Sequence, residues 1–379
     1  MAAAWKTSLS ILDRYTNIQT LQASLPEERR EDAIAIEQDA YQNSYSRHAY
    51  DAALASHAVP LPPQPSTPDT EKGIAIGTYH NCTPIAQGVT SEVYRSSAYA
   101  LKVIVAHRNL EPHNPQREAS ILTELHSLLP PPGHIIQLIE TFRDQEQRFV
   151  LVFPYLPLTL DAVLSDTTSA LPTDHLITIF TDVLNALVSV HEEGVIHRDI
   201  KPSAVLLQSP SGPAYLSDFG TAWHPRLSAY TESPTDKVLD IGTGAYRAPE
   251  VLFANKAYGP PVDIWALGIM LAQAITSPPK APFESRPVHE DGNQLGLILS
   301  IFKTLGTPTE ETWPEAKSFK VSPFELWTVF PQRSWDDVLP AANADFRDIV
   351  GKLVCFESGN RLTATEVGYA HGWMEYFRG

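Results

Sequence analysis

The sequence predicts an α+β chain of two lobes, a small β-rich one followed by a larger helical one. Three observations predict it. Strand-like runs at 100–105 (ALKVIV) and 148–153 (RFVLVF) flank one helical pattern at 116–129. From residue 160 onward helical spacing dominates. Hydrophobic side chains make up 43% of the 379 residues, enough for a sizeable core and too many for a disordered chain.

In chain order, Leu9, Leu12, Tyr15, Ile18 and Leu21 fall three apart and predict an amphipathic helix. The polar, alanine-bearing stretch 26–57 predicts a second. Residues 60–68 (PLPPQPSTP) hold five prolines in nine positions, which no helix or central strand admits. A boundary is placed there. Residues 1–74 form an N-terminal extension with this Pro-rich linker, either floppy or docked as a regulatory segment. Residues 75–156 form the small lobe and 157–379 the large one. In the large lobe, 175–193 reads as an amphipathic helix with Thr173 placed to cap it. The run 262–275 (VDIWALGIMLAQAI) is apolar nearly all round, so it should be a buried central helix.

Composition excludes several classes. With 44 acidic against 28 basic side chains the formal charge is -16, which repels a phosphate polymer and argues against nucleic acid. Two cysteines, Cys82 and Cys355, staple no framework and suit a reducing compartment. No apolar run reaches the roughly 18–20 residues of a membrane span. Lys6, Asp13 and Arg14 interrupt the start before a signal-like run develops. The expectation is a soluble protein of the cytoplasm or nucleus, and no basic cluster chooses between them.

Five motifs carry the chemistry: Lys102 in YALKV, Glu118 in QREASIL, HRDIKPSAVLL at 197–207, DFG at 218–220 and APE at 248–250. Their order points to phosphoryl transfer from ATP. That reaction needs positive charge on the phosphates, metal on the β- and γ-oxygens, and a carboxylate to take the attacking hydroxyl's proton. Lys102 would hold the α- and β-phosphates and Glu118 would fix it. Asp199 would be the base, Lys201 would stabilise the transferring group, and Asp218 would ligate Mg2+. A lone DFG or APE is weak and a lysine in a strand is usually just a lysine, but HRDIKP is already specific. Five in order leave coincidence little room.

Over residues 78–377 these motifs resemble the eukaryotic protein kinases, whose fold is bilobal. The stretches 301–315 (IFKTLGTPTEETWPE), 246–253 (YRAPEVLF) and 360–364 (NRLTA) resemble the cyclin-dependent kinase group. The resemblance implies that Arg361 pairs with buried Glu250. It makes Phe153 the residue guarding the back of the cleft. Pro154 would offer a carbonyl to adenine and Leu156 an N–H. Val93, Ala100 and Leu206 would sandwich the ring, although in any fold they could be ordinary core residues. Thr243 would hydrogen-bond Asp199 and Lys201, as in serine/threonine-specific members.

Three departures stand out. The glycine loop, 85–93 (IAQGVTSEV), keeps only Gly88, with Ala86 and Ser91 at the other glycine positions. Ala204 stands where the catalytic loop should carry a metal-binding asparagine. Val238, five residues before Thr243, stands where a phosphorylatable threonine is expected. Asp236 and Asp240 flank it and could pair with Arg198 without modification, while Tyr230, Ser233 and Thr235 remain possible phosphosites. The degraded glycine loop, the insert at 301–315 and the missing threonine together resemble the fungal single-subunit CDK-activating kinases, which phosphorylate the activation-loop threonine of cyclin-dependent kinases and need neither cyclin nor their own activating phosphate. The segment 111–118 (EPHNPQRE) also departs from the cyclin-binding helix. A monomeric kinase with a cyclin-dependent kinase as substrate is the leading expectation. A silent pseudokinase scaffold and a cyclin-requiring kinase are the alternatives.

Overall fold

The computed structural model describes residues 73–369, apart from 89, 107–110, 129–132, 167–169, 286–293 and 326–327, together with residues 14, 17, 18, 21, 29, 32–44, 50, 53 and 54. The chain divides into two compact units, Met1–Glu71 and Lys72–Gly379. In the first, helix α1 (Ala33–Asn43) buries Ala33, Glu37 and Ala40. The Glu37 carboxylate accepts two bonds from Arg14 at 2.7 Å each and one from the Tyr50 hydroxyl at 2.7 Å. The second predicted helix is therefore shorter than 26–57. Ser44 is already extended, with φ -80° and ψ 138°. Arg14, Asn17, Ile18 and Leu21 are helical. The proline-rich segment and the boundary placed on it lie outside the described residues.

The second unit begins with the β-rich lobe. Strands β1 (Ile74–Ile76), β2 (Tyr79–Gln87), β3 (Ser91–Ser96), β4 (Tyr99–Ile104), β5 (Glu140–Arg143) and β6 (Phe149–Pro154) form one sheet in the order β1-β2-β3-β4-β6-β5. Every pairing is antiparallel. Side chains alternate across a sheet, so the register sorts them. Leu101, Val103, Val150 and Val152 cluster with Ile76 and Cys82. On the other face Val93 stands opposite Lys102, Lys102 opposite Leu151, and Ala100 opposite Phe153. That face meets helix α2 (Pro115–Leu128) through Ile121, Leu122 and Leu125 and looks toward the helical lobe.

The helical lobe holds α3 (Leu160–Ser165), α4 (Thr173–Glu192), α5 (Pro249–Leu252), α6 (Pro261–Ala274), α7 (Leu295–Leu305), α8 (Trp335–Val338), α9 (Ala344–Leu353) and α10 (Ala364–Tyr369). A second sheet, β7 (Leu158–Thr159), β8 (Val205–Leu207) and β9 (Ala214–Leu216), lies at its top in the order β7-β8-β9. Helix α6 is buried nearly throughout, as its composition predicts. It contacts α9 at Gly268, where a Cβ would come within 2.5 Å of Val354 and 2.8 Å of Leu353, so only glycine permits that approach. Thr173 does not cap α4. Pro172 holds the cap position and Thr173 is already the first helical residue. Among the described residues no helix is long and apolar enough to cross a membrane.

One buried ion pair ties the lobe's far ends together. Arg361 reaches Glu250 at 2.6 and 2.8 Å, with side-chain exposures of 0% and 2%. Its remaining N–H groups go to the carbonyls of Cys355, Phe356 and Pro261. Every donor is satisfied, which lets a charge persist where water is absent. Arg361→Ala would leave Glu250 as an uncompensated buried charge and should cost about 3–5 kcal/mol in urea unfolding. A loss below about 1 kcal/mol, the size of an exposed pair, would contradict that.

Candidate active site

Lys102 projects from β4 into the cleft between the lobes. Its Nζ donates to both Glu118 oxygens at 2.9 Å and to Asp218 Oδ1 at 2.8 Å. The sequence builds this meeting locally. Asn114 caps α2, accepting the Arg117 N–H at 2.9 Å, and Pro115 follows as the first helical residue, a favoured pairing at helix starts. The Asn114 N–H in turn donates to the Gly220 carbonyl at 3.0 Å. The helix carrying Glu118 and the segment carrying Asp218 are thus clipped together. Burial pulls the Lys102 ammonium toward neutrality, but Asp218 and Glu118 reverse this and hold it protonated. The Lys102 charge keeps the Asp218 carboxyl well below the usual range. Burial pushes Glu118 up despite Lys102. Asp218 sits in the left-handed region at φ 61°, a conformation rarely held by a non-glycine residue outside functional sites.

A second group stands below it. The Lys201 Nζ donates to Asp199 Oδ2 at 2.5 Å and to Thr243 Oγ1 at 3.1 Å, and the Thr243 hydroxyl donates to Asp199 Oδ1 at 2.6 Å. The His197 ring bridges the two groups. It accepts the Asp199 N–H at 3.3 Å, bonds the Ser217 carbonyl at 2.9 Å, and lies edge-on to Phe219 at 4.7 Å.

The structure therefore brings Lys102, Glu118 and Asp218 into one cluster and Asp199, Lys201 and Thr243 into another. Val93, Ala100 and Phe153 lie on the sheet face that carries Lys102. Leu206 lies on β8 among the partly buried residues of the large core. Pro154 ends β6 and Leu156 follows it in the connection to the large lobe. Gly88 closes the β2–β3 turn, its N–H donating to Ser91 at 2.8 Å. Two surface cavities of about 680 and 590 Å³ lie beside α2 and include none of these residues. They are grooves on the outer side of the small lobe.

The metal is tested by its donor set. Asp218 is 48% exposed into the cleft and ionised, so it can offer oxygen. Ala204 is buried and has only a methyl group to offer. Among the described residues no three His, Cys, Asp or Glu side chains gather as a self-sufficient cage. The set fits a divalent ion held jointly by Asp218 and substrate oxygens.

Two residues escaped the sequence reading. Asp263, on the otherwise apolar α6, is 1% exposed and accepts the backbone N–H groups of His197 and Arg198 at 2.8 Å each and bonds His191 Nε2 at 2.9 Å. Burial alone would raise its carboxyl, but these bonds bring it below its ordinary value. A lone carboxylate in an apolar helix was the available signal. The second is Glu232. Arg198 does not pair with Asp236 or Asp240. It binds Glu232 at 2.6 and 3.0 Å, while Asp236 faces Lys256 at 2.7 Å and Asp240 lies 86% exposed, 3.5 Å from Arg247. The two aspartates neighbour position 238 in sequence but point to solvent.

The family described as "Protein kinase domain" matches residues 79–374. Serine/threonine-protein kinase csk1 of Schizosaccharomyces pombe is 33% identical over 281 residues, covering 72% of this chain and 88% of its own. Serine/threonine-protein kinase CAK1 of Saccharomyces cerevisiae is 30% identical over 280 residues, covering 62% of this chain and 75% of its own. Cell division control protein 2 homolog 2 of Trypanosoma brucei brucei is 30% identical over 272 residues, covering 70% and 71%.

Because the folded Asp263 carboxyl titrates below the ordinary ~3.9, its stabilisation is present above that pH and lost as pH falls through the lower folded value. Asp263→Asn should therefore destabilise by about 2–5 kcal/mol near neutrality, a difference that shrinks as pH drops toward about 3. Urea unfolding across that range checks it. A difference that stays constant throughout would contradict the assignment.

Proposed function

This chain belongs to the protein kinase domain family and is a serine/threonine protein kinase of the cyclin-dependent-kinase-like group, and we propose that it activates cyclin-dependent kinases by phosphorylating their activation-loop threonine. ATP is the phosphoryl donor in this reading. Val93, Ala100 and Leu206 enclose the adenine, the Pro154 carbonyl and Leu156 N–H meet its edge, and Phe153 closes the back of the cleft. Gly88 lets the β2–β3 turn lie over the phosphates. Lys102 grips the α- and β-phosphates, and Glu118 keeps it aimed. Asp199 accepts the proton of the acceptor hydroxyl. Lys201 sets positive charge beside the transferring group. Thr243, bonded to both, holds them in register and leaves room for a serine or threonine hydroxyl. Magnesium, when bound, neutralises charge on the phosphate oxygens, with Asp218 as its protein ligand.

The observation that carries the reading is Lys102 bonded to Glu118 within a single chain. In a kinase that depends on a partner this pair is a natural point of control. Here α2 is fixed by its own cap, and Arg117 is tied to Glu111 at 2.9 and 3.3 Å. That favours action as a monomer without cyclin. The substrate choice draws support from Val238 in the activation segment and from the likeness to csk1 and CAK1. The silent-scaffold alternative rests on Ala204 and the sparse glycine loop. It is not adopted, because Lys102, Glu118, Asp199, Lys201 and Asp218 all keep bonding distances suited to transfer.

The test incubates the purified chain with ATP, magnesium and a cyclin-dependent kinase whose activation threonine is intact. Phosphate should appear on that threonine, and Asp199→Asn should reduce the rate by about 10²–10⁴-fold. Incorporation unchanged by Asp199→Asn would mean a contaminating kinase. Incorporation at other sites only would refute the substrate. Ala204→Asn should raise turnover or lower the magnesium concentration for half-maximal rate. If neither changes, another group already fills that role.

A further inference from the structure

Helix α2 is held to the chain that follows Asp218 at two places, and only the first uses residues of the candidate site. At its start, Asn114 bonds the Gly220 carbonyl, and Glu118 meets Asp218 through Lys102. The second place is Glu124, six residues after Glu118 and about 9 Å further along the helix. There the helix faces His224, a residue only 2% exposed.

The bonds around His224 settle where its proton lies. The backbone N–H groups of Arg226 and Leu227 donate to Nδ1 at 3.1 and 3.2 Å. A ring nitrogen that accepts carries no proton, so the one proton of the neutral ring sits on Nε2. Nε2 stands 3.4 Å from Glu124 Oε1, the oxygen that also pairs with Arg226. The backbone closes the same turn. The His224 N–H donates to the Ser228 hydroxyl at 3.0 Å, and the Ser228 N–H donates to the His224 carbonyl at 2.9 Å. One nitrogen of the ring therefore shapes the turn at 224–228, and the other addresses α2.

A protonated imidazole carries N–H on both nitrogens and accepts nothing. Its Nδ1–H would meet two backbone N–H donors in a buried place, so the turn would have to open. Among the described residues the charged groups about the ring are Glu124 on α2, Arg226 in the turn and Glu193 at the end of α4. Burial lowers the proton affinity of the ring and outweighs the pull of Glu193. The stabilisation from the neutral ring is thus present above ~6.5 and lost as pH falls through the lower folded value.

We propose that His224 is a positioning residue whose neutral ring latches the activation segment to the far end of α2, and that protonation in mild acid releases the latch and slows phosphotransfer. Once released, α2 is clipped at its start alone. It can then turn about that point and carry Glu118 off Lys102.

The proposal rests on the kinase reading but not on the choice of substrate, so casein serves as the acceptor. Near neutrality, at about pH 7.5, His224→Ala should lower kcat by about 10-fold while KM for ATP stays within about threefold. His224→Asn offers an amide oxygen where Nδ1 accepts, and it does not titrate. It should recover part of kcat. Its rate relative to the parent should rise by about threefold or more as pH falls from about 7.5 to about 5.5, because only the parent loses the latch. A His224→Ala enzyme within about twofold of the parent would overturn the proposal, and so would an Asn-to-parent ratio that stays flat over that range. A second measurement needs no variant. Hydrogen exchange of the parent at the Arg226 and Leu227 amides, corrected for the intrinsic effect of pH, should show protection at about pH 7.5 that falls by about tenfold or more at about pH 5.5. Equal protection at both would overturn the proposal as well. A parent that transfers phosphate to no acceptor would contradict the kinase reading instead, and the exchange measurement then decides the latch by itself.

Discussion

An ammonium group held between two carboxylates is the constraint on which the site depends. Lys102 belongs to a strand, Glu118 to a helix and Asp218 to a loop of the other lobe. Lys102 and Glu118 are buried and depend on each other for compensation, and Asp218 is oriented by its bond to Lys102. The meeting therefore fixes the sheet, helix α2 and the segment at 218–220 relative to one another. The cluster carries one ammonium against two carboxylates, so in the proposed reading it is a divalent ion on Asp218 that would let Lys102 serve a phosphate. The apolar residues of the same sheet face, Val93 and Ala100, set a flat surface beside it.

A second layer of buried ions supports the first. Asp263 takes up the N–H groups of His197 and Arg198, in a loop where Arg198 adopts φ 73°. A positive φ at arginine is strained, and a fully satisfied carboxylate beneath it is what holds it there. Arg361 meanwhile ties Glu250, at the start of α5, to the C-terminal part of the lobe. A buried pair of this kind is costly to break, although two hydrophobic residues of similar volume could be equally stable in its place.

Much of this was legible in the sequence for a chemical reason. Lys102, Asp199, Lys201 and Asp218 sit in motifs whose short spacing is set by the reaction, so each carries its context with it. The strand-like runs of β4 and β6 and the nearly all-apolar run of α6 likewise pointed to the lobes. The contacts that escaped are long-range. Glu232 and Arg198 are 34 residues apart, and Asp263 and Arg198 are 65 apart. No local pattern encodes such pairs. Asp236 and Asp240 misled because nearness to Val238 along the chain says nothing about direction in space. The expected cap at Thr173 failed because Pro172 already supplies the extended backbone that starts the helix. The stretch 26–57 read as one helix because its polar composition carries no stop signal at Asn43.

The most direct measurement is a crystal structure of the full chain with a non-hydrolysable ATP analogue and magnesium. The account predicts the adenine between Val93, Ala100 and Leu206, with Lys102 in hydrogen-bond reach of the α- or β-phosphate while it still touches Glu118. A triphosphate bound elsewhere, or bound there with Lys102 turned away from it, would contradict the account.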